Sequence, residues 1–402
     1  MKDKLFRFLV TILAVVFTFS FVACNEDDGD ENVVTGTFEY QYVQDDEDEV
    51  DGGYYKITGY NVNSDDVEND YKNVDSKYRD LVIPETAKDF DVPEDKKHLK
   101  VKEIGAGAFS GKKILTSVTI GDNIETIGDG AFAGCTNLKS MTIPFVGKSK
   151  NAFNEEKVFP YIFGTATNED SGIISISVKT NDKYDSADAS LNTADATVYY
   201  MPSSLKKVTI TGGEIKESAF YGVSTLEEII LPSDITYIGD HAFTGCTNLK
   251  AINIPKTVKH IYQYAFSDCT ALKKINFDND SELTYIGKGV FSGCTKLGSN
   301  SVSTSIPPLK LPNITVLGEK AFEDCSSLMG IDLSNTSITV IDTSTFDKCS
   351  SLEKVILKDT MAIRTGAFTN CTKLKKEGIV NGEGVEIYDA LTKDEGAFDK
   401  FE

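Results

Sequence analysis

A phenylalanine followed three residues later by a cysteine recurs along this chain, and that spacing constrains the fold more than any other feature. The marker rings are Phe109, Phe132, Phe220, Phe243, Phe266, Phe291, Phe322, Phe346 and Phe368. Successive markers lie 23, 88, 23, 23, 25, 31, 24 and 22 residues apart. Seven are followed at the same offset by Cys135, Cys246, Cys269, Cys294, Cys325, Cys349 and Cys371, with Lys112 and Val223 in the other two copies. A single unit of this length cannot bury its apolar face alone, so the units must stack as coils of a solenoid.

Each coil has a physical reading. IGDGAFAGCTNLKSMTIP from Ile127 returns as IGDHAFTGCTNLKAINIP from Ile238. The piece Leu-x-x-Ile-x-Ile alternates and is β-branched, which predicts a short strand with its isoleucines inward. Pro144, Pro232 and Pro255 follow such strands and end them, because proline has no N–H for a ladder. A second apolar pair, Ile235 and Ile238, precedes Gly239, which is expected to supply the bend onto the back surface. The marker phenylalanine is then driven inward between layers. The cysteines read as small buried residues in an interior ladder. Disulfides are the rival in an exported chain, since coils about 4.8 Å apart do not forbid them. Seven is an odd number, however, and Val223 replaces cysteine without a pattern being lost.

These units resemble the BspA-type leucine-rich repeats, also called the Treponema pallidum type. The likeness covers about residues 101–376. It implies a leucine-rich repeat solenoid, mostly β, a right-handed coil with one parallel sheet and an irregular back surface. Ten to twelve coils at about 4.8 Å each would make a rod of ~50–60 Å. Residues 53–100 resemble the N-terminal capping coil of such arrays, and 377–402 read as a degenerate closing segment. The 88-residue gap is expected to hold a long irregular coil at 145–200, framed by FPYIFG and YYMPSSLKKVTIT, with 165–196 projecting as a loop.

The N-terminus reads as an address. Lys2, Lys4 and Arg7 precede an apolar run from Phe8 to Ala23, too short to span a bilayer as a helix. The run closes on Cys24, and FVAC resembles the lipobox of bacterial lipoproteins, which implies a signal peptide over 1–23 and lipidation of Cys24. A plain cleaved signal and an uncleaved anchor are the alternatives. Residues 25–51 then carry twelve Asp and Glu and no Lys or Arg, so 24–52 is expected to be an acidic, self-repelling tether. NEDDGDE resembles the export signal of surface lipoproteins in Bacteroides-like bacteria. A calcium loop over Glu47, Glu49, Asp51 and Gly52 is the sharper alternative, but Thr58 stands where a bidentate Glu is required.

With 41 Lys+Arg against 62 Asp+Glu the chain carries a net charge of −21, which argues against nucleic acid. Three scattered histidines make no metal or acid–base constellation, and no cofactor, metal or catalytic residue is expected. The outward positions of the strands form the candidate binding face: Ser140, Thr142, Lys207, Thr209, Glu228, Ile230, Ala251, Asn253, Lys274, Asn276, Asp332 and Lys354. A mixed, flat face suits a macromolecule, protein or glycan, better than a small molecule; a merely solvated face is the plainer reading. Tyr237, Tyr262, Tyr264 and Tyr285 cluster near the back-surface turn, either as a contact surface or as layer packing. Asp185-Ser186-Ala187 and Asp359-Thr360-Met361 look like Bacteroides O-glycosylation acceptors. The family resemblance implies a lipid-anchored protein of the outer membrane or cell surface that adheres to host or microbial macromolecules. A structural or accessory component of an envelope complex is the alternative, and membrane contact is expected only through the lipidated N-terminus.

Overall fold

The computed structural model describes residues 35–43, 53–63, 79–166, 172–178, 196–299 and 308–398. Cys24, the signal segment, the calcium-like residues 47–52 and Ser186 lie outside them. The described chain winds as stacked coils in which short strands recur at the same place in every turn. On the front lie the strands Asp80–Val82, Ser117–Thr119, Ser140–Ile143, Lys207–Ile210, Glu228–Ile230, Ala251–Ile254, Lys274–Phe277, Leu309–Lys310, Gly330–Asp332, Lys354–Ile356 and Ile379–Val380. All pair in parallel with their neighbours, in hydrogen-bonded groups of five, two and four. The register shifts by one coil each time, with Ser117 opposite Ser140 and Asn253 opposite Asn276.

The expectation of one parallel sheet with an irregular back needs correction on two points. The front ladder is interrupted, and a second parallel ladder runs along the flank. It contains Tyr237–Ile238, His260–Ile261, Tyr285–Ile286 and Val316–Leu317, with further groups at both ends. The cause is the second apolar pair of each unit. Ile238, Ile261 and Ile286 turn inward and are fully buried, which leaves the neighbouring outward residue extended and its backbone paired with the next coil.

Between flank and front, each coil makes a tight turn that carries the marker ring. The nine marker rings are at most 1% exposed. From Phe220 to Phe368 they stack in one column with centroids 5.0–5.6 Å apart. Apart from Phe132, each marker N–H donates to the carbonyl before the next ring of the column, as Phe243 does to Ala265 at 2.7 Å. The residues two before and two after the ring are left-handed in every coil: His241 (φ 54°) and Gly245 (φ 73°) flank Phe243. Asp, Asn and Lys at Asp268, Asp324, Asn370 and Lys348 accept the same backbone at the second position. Gly239 plays another part than the one expected. It has no positive φ; a Cβ there would lie 2.4 Å from the Glu217 nitrogen, so glycine is needed for close approach of two coils.

The 88-residue gap holds one long coil. Phe159–Phe163 forms a 3-10 turn that splices the column: Phe132 N–H donates to Ile162 O, while Phe159 N–H donates to Ala219 O. Phe159 stacks on Phe220 at 4.9 Å and so stands in for a marker the spacing did not reveal. An antiparallel hairpin, Ile173–Val178 with Thr197–Pro202, belongs to the same coil, and it corrects the expectation of a projecting loop over its described part: Ile176, Val178, Tyr199 and Met201 are buried in the core. At the N-terminal end, Thr35–Val43 is a nine-residue strand antiparallel to Tyr54–Asn63. It falls inside the stretch read as an acidic tether, because Phe38, Tyr40 and Tyr42 outweigh the surrounding acids. Tyr40 stacks on Phe90 at 4.2 Å, and Phe38 meets Phe109 edge-on. At the other end Phe398 lies parallel to Phe368 at 4.8 Å and acts as a tenth marker.

Candidate functional site

The front ladder divides into two chemically different parts. Over its first strands the outward residues neutralise one another. Asp80 accepts from Ser117 Oγ at 2.8 Å, Lys207 pairs with Glu228 at 2.8 Å, and Thr211 donates to Asp122 at 2.7 Å. Ser140, Thr142, Lys207 and Thr209 are only half exposed there. Exposed ion pairs of this kind contribute little to stability or binding, typically ~0–1 kcal/mol.

The second part is open. At the C-terminal ends of three consecutive strands, Ile230, Leu231, Ile254, Pro255 and Phe277 line a shallow groove of about 580 Å³, edged by Asn253 and Asn276. Ile230 is 42% exposed, an unusual setting for isoleucine on a solvated strand. Asn276 Nδ2 donates to Asn253 Oδ1 at 2.6 Å, so the two amides form a short ladder along the groove. This pairing leaves the Asn276 carbonyl and one Asn253 N–H direction available to a ligand backbone. A second depression of about 290 Å³ shares Asn276 and Phe277 and runs on to Pro308, Leu309, Lys310 and Gly330. It sits where the ladder is interrupted between Lys274–Phe277 and Leu309–Lys310, next to residues outside the described set.

Of the sequence-predicted face, Ile230, Asn253 and Asn276 line this groove and Lys274 lines the second depression, whereas Glu228 and Ala251 lie on the same strands outside both. Asp332 and Lys354 lie further along; Asp332 is occupied by the N–H and hydroxyl of Ser334, at 2.9 and 2.6 Å. Phe277, Leu231 and Lys310 were missed. An aromatic stands at 277 where the aligned unit has Ile254, and that exchange in INFDND was a legible signal.

The marker-offset cysteines point away from this site. All seven are buried and free of disulfides, and each Sγ donates to the carbonyl of the preceding marker at 3.1–3.3 Å. Burial pushes the Cys135 thiol up to about 12, and those of Cys246, Cys269, Cys294, Cys325 and Cys349 likewise upward, so no nucleophile is prepared. Among the described residues no three His, Cys, Asp or Glu side chains converge as a metal site. Thr360 is exposed in a turn after the Lys354–Ile356 strand. The tyrosine cluster separates into two groups. Tyr237, Tyr262 and Tyr285 gather around His260 on the flank, whereas Tyr264 stacks on His241 at 5.1 Å.

No curated protein matches the chain significantly. Among solved structures, a leucine-rich repeat protein of Bacteroides ovatus is 18% identical, covering 90% of this chain and 96% of its own, with a TM-score of 0.37. The T. pallidum leucine-rich repeat protein is 20% identical over 72% of this chain and 87% of its own, TM-score 0.31. A leucine-rich cell surface protein of Faecalibacterium prausnitzii is 22% identical over 88% and 96%, TM-score 0.32. The BspA type leucine-rich repeat region matches in six copies over residues 97–180, 213–310 and 301–386. With more than half of its length matched and the marker turn repeated along it, this chain belongs to the BspA-type leucine-rich repeat family.

Proposed function

We propose that the protein is an exported binding protein, held at the outer membrane or cell surface by lipid on Cys24, that adheres to a macromolecular partner through the front groove. The observation that carries this reading is the apolar floor of Ile230, Leu231, Ile254 and Phe277 beside the Asn253–Asn276 amide pair. Apolar anchors rimmed by polar groups are the composition of a protein-binding surface. A long repeat face without prepared acid, base or nucleophile supports binding rather than turnover. The acid-rich stretch after Cys24 supports a spacer that holds the coils clear of the membrane.

The test immobilises the full chain and its Ile230→Lys variant and offers both host matrix proteins, glycans and whole bacteria. Capture by the wild type that falls about tenfold or more in the variant supports the reading. Equal capture by both, or none by the wild type, overturns it. Crosslinking in intact cells that recovers only another envelope protein of the same cell would replace adhesion by envelope assembly. Mass analysis of the mature N-terminus should show an acylated Cys24; an unmodified mature end removes the lipid anchor from the proposal.

A further inference from the structure

The flank ladder carries a surface that the front groove does not explain. Tyr237, His260, Tyr285 and Val316 occupy the same register on four successive strands. Tyr262, two residues after His260, fills the gap between them: its ring lies 5.9 Å from Tyr237 and 6.0 Å from Tyr285. Tyr262 and Val316 are 37% and 42% exposed. At the matching point of neighbouring coils stand Gly239, Gly287 and Gly318, each pressed against the coil before it. Tyr262 therefore replaces the residue that packing favours there, and its ring reaches outward.

The rings do not form a flat platform. Tyr237 and Tyr262 are inclined by 68°, and Tyr262 and Tyr285 by 51°. Inclined faces about 6 Å apart embrace a cation better than they support a planar sugar face. Elsewhere the protein satisfies this chemistry internally. Lys393 and Lys376 lie 4.3 and 5.0 Å from the Tyr388 ring, Lys102 lies 5.3 Å from Tyr54, and Lys96 lies 5.3 Å from Tyr42. Among the described residues no Lys or Arg sits over Tyr237, Tyr262 or Tyr285.

The charges beside the stripe agree. Lys259 and Lys288, which adjoin the flank strands, are engaged, with Glu282 at 3.7 Å and Glu319 at 3.2 Å. Among the described residues, two carboxylates here have no Lys or Arg within ion-pair distance. Glu214 accepts from the Thr236 N–H and hydroxyl at 3.0 and 2.9 Å, and Asp240 accepts from the Gln263 N–H at 2.8 Å. Glu214 is close enough to Tyr237 to reinforce the upward shift that burial imposes on its hydroxyl.

We propose that the stripe of Tyr237, Tyr262 and Tyr285, with Glu214 and Asp240 beside it, is a docking surface for a basic polypeptide segment, whose Lys or Arg side chains lie on the tyrosine faces. This rests on the reading of the chain as a binding protein but uses a different face from the front groove. The complementary charge is that of Glu214 and Asp240, whose carboxylates accept hydrogen bonds from Thr236 and Gln263 rather than from a lysine or arginine.

The test uses the full chain and a fluorescent arginine-rich peptide, with a citrulline peptide of the same length as the uncharged control, at physiological salt. The wild type should bind the arginine peptide about tenfold or more tightly than the citrulline peptide, and Tyr262→Leu with Tyr285→Leu should lose about tenfold. Tyr262→Phe with Tyr285→Phe should keep binding within about threefold, since the ring face is retained. The Ile230→Lys variant should bind as the wild type does, which separates this surface from the front groove. Undiminished binding by the leucine variant, despite an unchanged melting temperature, would assign the affinity to general acidity and overturn the proposal. Equal binding of the citrulline peptide, or tighter binding of a neutral oligosaccharide lost in the leucine variant, would overturn it too.

Discussion

The thiol of Cys269 donates to the main-chain carbonyl of Phe243, one coil earlier, at 3.2 Å. The same carbonyl accepts the N–H of Cys246 in its own coil, at 3.0 Å. Cysteine thus serves as a small donor that ties each marker to the next coil, which explains its recurrence better than size alone. Cys269→Val keeps the volume and leaves Phe243 O with one partner, so it should cost about 1 kcal/mol or less. Cys269→Ala also opens a void and should cost more, about 1–3 kcal/mol. Urea denaturation checks the order; an alanine variant as stable as the valine variant would mean the site collapses freely.

The six thiols with raised pKa predict an alkaline instability. Burial holds them neutral in the folded coil, Cys135 up to about 12, whereas an unfolded thiol ionises near 8.5–9. Between those values the unfolded chain has lost protons that the folded chain keeps, so stability falls as pH rises. Melting temperature should therefore drop steeply from about pH 9 upward, with a shallower slope in a variant carrying valine at Cys246 and Cys269. A thiol reagent should meanwhile label none of the seven until the protein unfolds.

Phe243 stacks between Phe220 at 5.3 Å and Phe266 at 5.0 Å and is fully buried. Phe243→Ala should cost about 3–5 kcal/mol, as for a large ring truncated in a packed interior. Phe159→Ala should cost a similar amount, because that ring is fully buried and extends the column beyond Phe220 into the long coil. Calorimetry of both variants decides whether the splice is as tightly packed as the regular array.

Gly239→Ala should destabilise by about 1–3 kcal/mol or more, since its methyl would overlap Glu217 N and Lys216 C at 2.4 and 2.5 Å. Backbone rather than a side chain stands in the way, so the coils must part. An unchanged melting temperature would show that the coils slide easily.

His241 is held neutral by burial, its pKa pushed down to about 4. Thr244 Oγ1 donates to Tyr264 O at 2.6 Å, so its contact with His241 Nδ1 at 3.2 Å requires the proton on Nδ1. An unfolded histidine takes up a proton near 6.5 and the folded one does not until about 4. Stability should therefore fall as pH drops through that window. His241→Asn, which tolerates the left-handed backbone, should flatten the dependence, as followed by melting temperature against pH.

The sequence by itself determined the coil, its period and its interior, because a ring and a thiol at fixed offsets leave one way to bury both. Ile-x-Ile alternation likewise settled which residues of Ala251–Ile254 turn inward. Whatever depends on one coil meeting another was decided only in three dimensions. Gly239 is identical in sequence whether it bends or allows approach, and only the 2.4 Å overlap distinguishes the two. Phe159 and Phe398 lack a cysteine at the marker offset, yet both complete the column because stacking recognises the ring and not the spacing. Phe277 and Ile230 join one groove through the lateral neighbours they acquire. Tyr262 parted from Tyr264 for the same reason: two residues apart along the chain, they face different sides of the coil.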